Sequence, residues 1–169
     1  MSSTSRSLQI LVIDDEPAIR QILQSAISRN GHLVDTAEDG KSALERLAKG
    51  DIEVAICDIR MPDMTGIDVI KEAKASGIET TFLVMTAFAS VNTAIEAMRA
   101  GAYDYMLKPL RTEDVLNRLD NLGDIIGLRS ENQVLRELVL GKNDDQCEMV
   151  SPAMIQVDRL VQKVAPTTS

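Results

Sequence analysis

Five short apolar runs, each followed by a stretch of helical periodicity, constrain this chain of 169 residues more than any other feature. The runs occupy residues 8–13, 32–37, 54–57, 81–85 and 102–107. Each is brief and bounded by Asp, Gly or Pro, which favours a strand over a helix. The stretches between them carry apolar residues at helical spacing: Ile19, Ile22, Leu23, Ala26 and Ile27 in the first, Ala43, Leu44, Leu47 and Ala48 in the second. Ile67, Ile70 and Ala73 follow in the third, and Val91, Ala94, Ile95 and Met98 share a face in the fourth. Val115, Leu116, Leu119 and Leu122 open the last. Pro17 suits a first helical turn with an acid before it as cap, and Ser90 and Thr112 can cap the last two helices. Asn30-Gly31, Gly50, Gly77 and Gly101 supply stops.

Strands alternating with helices predict an α/β fold with a doubly wound parallel sheet. The runs are nearly continuous in apolar residues, as strands buried on both faces require. No Gly-x-Gly-x-x-Gly follows the first run, so the phosphate cradle of a dinucleotide fold is missing. The expected strand order is therefore the flavodoxin-like 2-1-3-4-5. Aromatic residues make up only 2% of the chain, so the core must be aliphatic.

In such a sheet, ligands bind outside the carboxyl ends of the strands. The first run ends in Asp14-Asp15, the third in Asp58, the fourth in Thr86-Ala87 and the fifth in Lys108-Pro109. The expected order makes these strands neighbours, so the groups converge. Carboxylates crowded into one pocket repel each other and raise at least one pKa. A divalent cation removes that penalty, and an all-oxygen, partly hydrated site favours Mg²⁺. Lys108 adds a fixed positive charge and Thr86 a hydroxyl donor. A carboxylate beside a cation, a lysine and a hydroxyl is a site for phosphoryl transfer to Asp58. Taken singly, Asp58 reads as a turn starter and Asp14 and Asp15 as helix caps. His32 reads as a surface or strand-edge residue, Cys57 as buried, and Glu16 and Asp63 as solvated loop acids.

A formal net charge of −8 argues against nucleic-acid binding by this chain, because phosphate contacts need a basic patch. The two cysteines, Cys57 and Cys147, make neither a disulfide framework nor a metal spacing. A reducing, cytoplasmic setting is the expectation. Residues 1–7 are polar, and the run after them is too short for a signal peptide or membrane span.

Together, Asp14-Asp15, Asp58 with Met61-Pro62-Asp63-Met64-Thr65-Gly66, Thr86-Ala87 and Lys108-Pro109 closely resemble the receiver domain of bacterial two-component response regulators. The resemblance covers residues 8–121. It implies that Asp58 accepts phosphate from a sensor histidine kinase. It implies that Asp15 and Asp58 bind Mg²⁺ directly with the Arg60 backbone carbonyl, Asp14 acting mainly through water. Thr86, Ala87 and Lys108 would bind the phosphoryl group, with Thr86 and the aromatic Tyr105 as switch residues. A cis Lys108-Pro109 bond is also implied.

Beyond the receiver-like region the helical pattern continues. Ile125, Leu128, Asn132, Leu135 and Val139 fit a and d positions of a two-stranded coiled coil, with the polar Asn132 fixing register. The expected product is a parallel homodimer through residues 114–140; the alternative is a solvent-exposed linker helix. Residues 141–146 read as a polar break. Residues 149–169 resemble the opening helix of the AAA+ domain in enhancer-binding activators of the nitrogen regulatory protein C type. No Walker A sequence occurs, so no ATP hydrolysis is expected of this chain. The predicted layout is a receiver at 1–121, a helical linker at 122–148 and the start of an ATPase domain at 149–169. That layout reads as a fragment of a larger sigma-factor-dependent regulator, whose missing domains would meet DNA and RNA polymerase. Two rivals stand: a stand-alone phosphorelay receiver, and a phosphatase with an aspartyl nucleophile. Arg60 counts against the second, because such phosphatases carry another acid two residues after the nucleophile.

Overall fold

A computed structural model of the chain describes residues 6–87 and 90–144, and for 141–144 the backbone alone. Its elements are β1 (Gln9–Ile13), α1 (Pro17–Arg29), β2 (Leu33–Ala37), α2 (Gly40–Leu47), β3 (Val54–Asp58), α3 (Gly66–Ala75), β4 (Thr81–Thr86), α4 (Val91–Ala100), β5 (Asp104–Leu107) and α5 (Thr112–Asp144). The five strands form one parallel sheet in the order β2-β1-β3-β4-β5. This is the expected flavodoxin-like arrangement.

Sequence decides which strand lies where. Every residue of β3 is buried, and it sits at the centre between β1 and β4. The sequence Leu-Val-Asp-Thr-Ala of β2 is the most polar of the five, and this strand takes an edge, with Leu33 and Thr36 exposed. One face of the sheet builds a core from Leu11, Ile13, Ala55, Cys57, Phe82 and Val84, covered by Ala43 and Leu47 of α2 and Ile67 and Ile70 of α3. The alternate residues Ile10, Val12, Ile56, Leu83 and Met85 are just as buried on the other face. Leu23 and Ile27 of α1, and Val115 and Leu119 of α5, are buried too and lie outside the first cluster, so they cover this second face.

The chain divides into two units, the first ending at Asp124 and the second starting at Ile125. Within the first, α5 buries Val115, Leu119 and Leu122. In the second, α5 presents Leu128, Val134, Leu135, Leu138 and Val139 as exposed residues. The helix runs on through Gly141 to Asp144, so the polar break expected at 141 does not interrupt it there. The residues proposed as the start of an ATPase domain, 149–169, lie outside the described residues.

Other expectations are corrected. Thr112 is the first residue of α5 rather than its cap; the Arg111 carbonyl accepts the first helical bonds, from the N–H groups of Asp114 and Val115. The cap position of α1 is Glu16, with Pro17 in the first turn, yet no side chain there bonds the helix end. On α4 the apolar stripe faces water: Val91, Ile95 and Met98 are exposed and Ala97 is the one buried residue of the helix.

His32 is the largest correction. It is not a surface residue but 4% exposed. It lies just before β2, where its Nδ1 accepts a hydrogen bond from the Leu8 N–H at 3.1 Å. Nδ1 must therefore carry no proton, and the ring is the neutral tautomer with hydrogen on Nε2. That Nε2 is buried without a hydrogen-bond partner among the described residues. Burial lowers the His32 pKa, and the nearby Asp120 carboxylate only partly opposes this. Protonation would also break the bond to Leu8.

A depressed histidine pKa means the unfolded chain takes up a proton first. Stability is then complete above the unfolded value of about 6.5 and falls as pH drops through it. The urea midpoint of the wild type should decline between about pH 7 and 5.5. His32→Gln should show a flatter profile over the same window. Parallel profiles would remove His32 as the cause.

Candidate functional site

The site is assembled at the carboxyl ends of β1, β3, β4 and β5. β1 ends at Ile13, and Asp14 follows with its N–H donated to the Ala37 carbonyl at 3.1 Å. The Asp14 side chain is fully buried. Its Oδ1 accepts from the Glu16 N–H at 2.9 Å, and its carbonyl accepts from Arg20 Nη1 at 2.6 Å. Asp58 ends β3 and is 6% exposed. Its Oδ1 accepts a long bond, 3.3 Å, from the Arg60 N–H. In the register of β3 with β4, Asp58 pairs with Met85, so the buried Thr86 stands one step further toward the site. The Thr86 carbonyl accepts from the Lys108 N–H at 2.8 Å, which fixes Lys108 just past the end of β5. The peptide bond between Lys108 and Pro109 is cis, as the resemblance implied.

Lys108 ties the strands together. Its Nζ donates to Asp14 Oδ2 at 2.9 Å and to Asp58 Oδ2 at 3.1 Å, and lies 3.9 Å from a carboxylate oxygen of Glu16. Burial alone would lower the Lys108 pKa, but the bonds to Asp14 and Asp58 more than reverse this and raise it. The ammonium is therefore a permanent charge. For Asp58, burial pushes the pKa up, and the Asp14 charge acts the same way. The hydrogen bond and charge of Lys108 pull against them, and the net direction is upward. One lysine thus does not fully compensate the buried acids.

The turn after β3 is held by close backbone approach. The Gly66 N–H donates to the Ile59 carbonyl at 2.8 Å, and a Cβ on Gly66 would run into the Asp58 carbonyl oxygen. Cys57 is fully buried with its Sγ 3.4 Å from the same carbonyl oxygen, and burial raises its pKa, so it is an inert core thiol.

Of the residues singled out in the sequence, Asp14, Asp58, Thr86 and Lys108 are brought together. Asp15, Arg60 and Ala87 are exposed around them. Tyr105 is half-buried and packs against the core beneath the sheet end. Carboxylate oxygens of Asp14, Asp15 and Glu16 lie within 4.8 Å of one another, close enough to share an ion. Asp58 is not a member of that group; Lys108 joins it to Asp14 instead. Glu16 and Asp63 both do more than a solvated loop acid would. Adjacency to Asp14-Asp15 could have signalled Glu16, whereas nothing local in the sequence marks Asp63. Its carboxylate accepts from the N–H groups of Gly40 at 3.0 Å and Lys41 at 2.9 Å, and those bonds, Gly40 first, hold its pKa low.

The donor set fits a hard divalent cation. All candidate ligands are oxygens, those of Asp14, Asp15 and Glu16 are mutually close, and the raised Asp58 pKa marks negative charge that a further cation would offset.

The chain is similar to known proteins in sequence and in fold. The response regulator receiver domain family matches residues 10–120. The regulatory protein AtoC of Escherichia coli (strain K12) is 39% identical over 107 residues, covering 63% of this chain and 23% of AtoC. The transcriptional regulatory protein ZraR of the same organism is 38% identical over 117 residues, covering 69% of this chain and 26% of ZraR. The chain thus spans about a quarter of the length of these two relatives. Among solved structures, the receiver domain of the Francisella response regulator 1452 superposes with a TM-score of 0.68 at 28% identity, covering 71% of this chain and 99% of that one. The beryllofluoride-activated NtrC4 receiver domain dimer gives 0.65 at 29% identity, covering 69% and 96%. The chain belongs to the response regulator receiver domain family of two-component systems.

Proposed function

We propose that this chain is the phosphoacceptor receiver of a transcriptional regulator, with Asp58 as the acceptor and a sensor histidine kinase as donor. The supporting observation is the Lys108 ammonium bonded at once to Asp14 and Asp58 across three strand ends. Receiver domains bind Mg²⁺ at an acidic pocket. Here Asp15, Asp58 and the Arg60 carbonyl would hold it, with Asp14 acting through water and Glu16 within reach of the same acid cluster. Bound Mg²⁺ would offset the charge on the phosphoryl oxygens and on the crowded carboxylates.

In the transfer, an Asp58 carboxylate oxygen forms the new P–O bond. The P–N bond to the donor imidazole breaks, and its electron pair stays on nitrogen. The Asp58 side chain must be ionised, and the Lys108 charge favours that form. Lys108 then re-forms its hydrogen bonds onto the phosphoryl oxygens, and the Thr86 hydroxyl and Ala87 N–H donate to the same group. Drawing Thr86 toward the phosphoryl group empties space beside Tyr105, whose half-buried ring turns inward. The result is a shift between two conformers rather than turnover of a substrate. The chain is in this reading a signalling module and not an enzyme.

The linker reading extends this. In this reading the linker, 122–148, pairs with a second copy as a coiled coil through Ile125, Leu128, Asn132, Leu135 and Val139, and 149–169 would belong to the start of an AAA+ domain. Exposure of Leu128, Leu135 and Val139 along one helix supports the pairing. Through the linker, phosphorylation would control the ATPase and, with the DNA-binding parts of a longer protein, transcription. The setting is cytoplasmic, in keeping with the finding that no described helix is long and apolar enough to cross a membrane.

Incubation with a small acyl phosphate and Mg²⁺ should add one phosphoryl group, read by intact mass. Asp58→Ala should take up none, and persistence of the adduct there would remove Asp58 as acceptor. Lys108→Ala should slow the uptake by roughly 10²-fold, the usual cost of removing one positioned charge donor. Chelation of Mg²⁺ should stop it. Light scattering should give twice the 18.5 kDa chain mass, and Leu128→Lys with Leu135→Lys should return the mass to that of one chain. A dimer that survives both lysines would place the contact elsewhere.

A further inference from the structure

Asp63 belongs to the loop between β3 and α3, five residues past Asp58 and exposed to water. Besides backbone groups of the loop itself at Asp63 and Met64, it is held from outside the loop. Oδ1 accepts from the Gly40 N–H at 3.0 Å and Oδ2 from the Lys41 N–H at 2.9 Å. These are the first two amides of α2, which no group within the helix can satisfy. The remaining end amides are met from inside: Asp39 Oδ1 accepts from Ser42 N–H at 2.7 Å, and the Asp39 carbonyl accepts from Ala43 N–H at 3.1 Å. The helix end already has its own capping residue. Asp63 is an added, charge-assisted clamp from another part of the chain.

A second contact makes the joint rigid. Met64 packs where a side chain of Gly40 would stand, since a Cβ there would meet the Met64 Cγ and Sδ. Bond and packing together pin the loop to the start of α2. That start is itself three residues beyond Ala37, whose carbonyl receives the Asp14 N–H. The contacts therefore close a ring. It runs from Asp14 to Ala37, along the chain to α2, through Asp63 into the loop, back to Arg60 and Asp58, and through Lys108 to Asp14 again. Among the described contacts, Asp63 closes this ring on the side away from Lys108.

We infer that Asp63 is a positioning residue which sets the spacing between the Asp14-Asp15 acids and the Asp58–Arg60 ligands, and so tunes divalent-cation binding. This rests on the proposed Mg²⁺ site. Its carboxylate is held by two N–H donors, so it touches neither the ion nor the phosphoryl group. Supporting groups of this kind change metal affinity by roughly 10- to 100-fold when removed.

The test is Mg²⁺ affinity measured by calorimetry or by amide chemical shifts, with no phosphodonor present. Asp63→Ala should bind Mg²⁺ about tenfold more weakly than wild type. Asp63→Asn, which keeps one acceptor, should fall between them. Gly40→Ala attacks the same joint from the other side by displacing Met64, and should weaken Mg²⁺ in the same direction. At saturating Mg²⁺, acyl phosphate should still add one phosphoryl group to all three, which shows that the acceptor site is folded. An unchanged Mg²⁺ affinity in Asp63→Ala, with only a lowered melting temperature, would make Asp63 a helix cap and overturn the inference. Failure of the underlying site looks different: wild type itself would bind no Mg²⁺, or Asp15→Asn would bind it as well as wild type.

Discussion

The Lys108 ammonium is the contact on which the rest depends. Two buried or nearly buried carboxylates, Asp14 and Asp58, face each other across the ends of β1 and β3. Without a cation between them, each would be an uncompensated charge in a low-dielectric setting, which costs several kcal/mol per ion. Lys108 reaches both from β5, two strands away from β3 in the sheet. To do so it must leave β5 at one particular residue, and the bond from its N–H to the Thr86 carbonyl sets that point. Strand order, register and charge are thus coupled: a slip of one residue in β5 would turn the lysine to the other face.

The same coupling explains why one part of the site was legible in the sequence and another was not. Strand ends announce themselves, because an apolar run stops at a polar or charged residue. Asp14, Asp58, Thr86 and Lys108 could each be placed this way, and the order 2-1-3-4-5 then brought them together. His32, Asp63 and the apolar stripe of α4 have no such signature. His32 is buried where Leu8, just before β1, donates to its ring and the Asp120 carboxylate of α5 lies near, segments far apart in the chain. Asp63 looks like an ordinary loop acid until α2 arrives beside it. The α4 stripe has the spacing of a core-facing helix, but only Ala97 reaches the interior. Periodicity reports that a face is apolar, not what covers it.

Helix ends show the same limit at smaller scale. Thr65 caps α3 with a reciprocal bond to Asp68, and Ser90 caps α4, both through local spacing that sequence reveals. Thr112 has the right chemistry and sits one residue too late, because the chain enters α5 at Arg111. Where the cap lies in a different segment, as Asp63 does for α2, local rules are blind.

Uneven packing also decides which part of the fold can respond. α3 buries Gly66, Ile67, Val69, Ile70 and Ala73, while α4 buries Ala97 alone. An element with few buried apolar groups opens or shifts at low cost compared with the core. α4 follows directly on the strand end that carries Thr86, and Tyr105 lies beside Ala94, Ile95 and Met98 along the same shallow groove. Addition of a doubly charged group at Asp58 would pull on Thr86 against the least anchored helix in the sheet's cover. In the proposed reading the well-packed α3 and the clamped β3–α3 loop would resist, which would steer the displacement toward α4. A rigid acid site joined to one loosely held helix is the arrangement a two-conformer switch requires, and here it follows from the burial of each helix face.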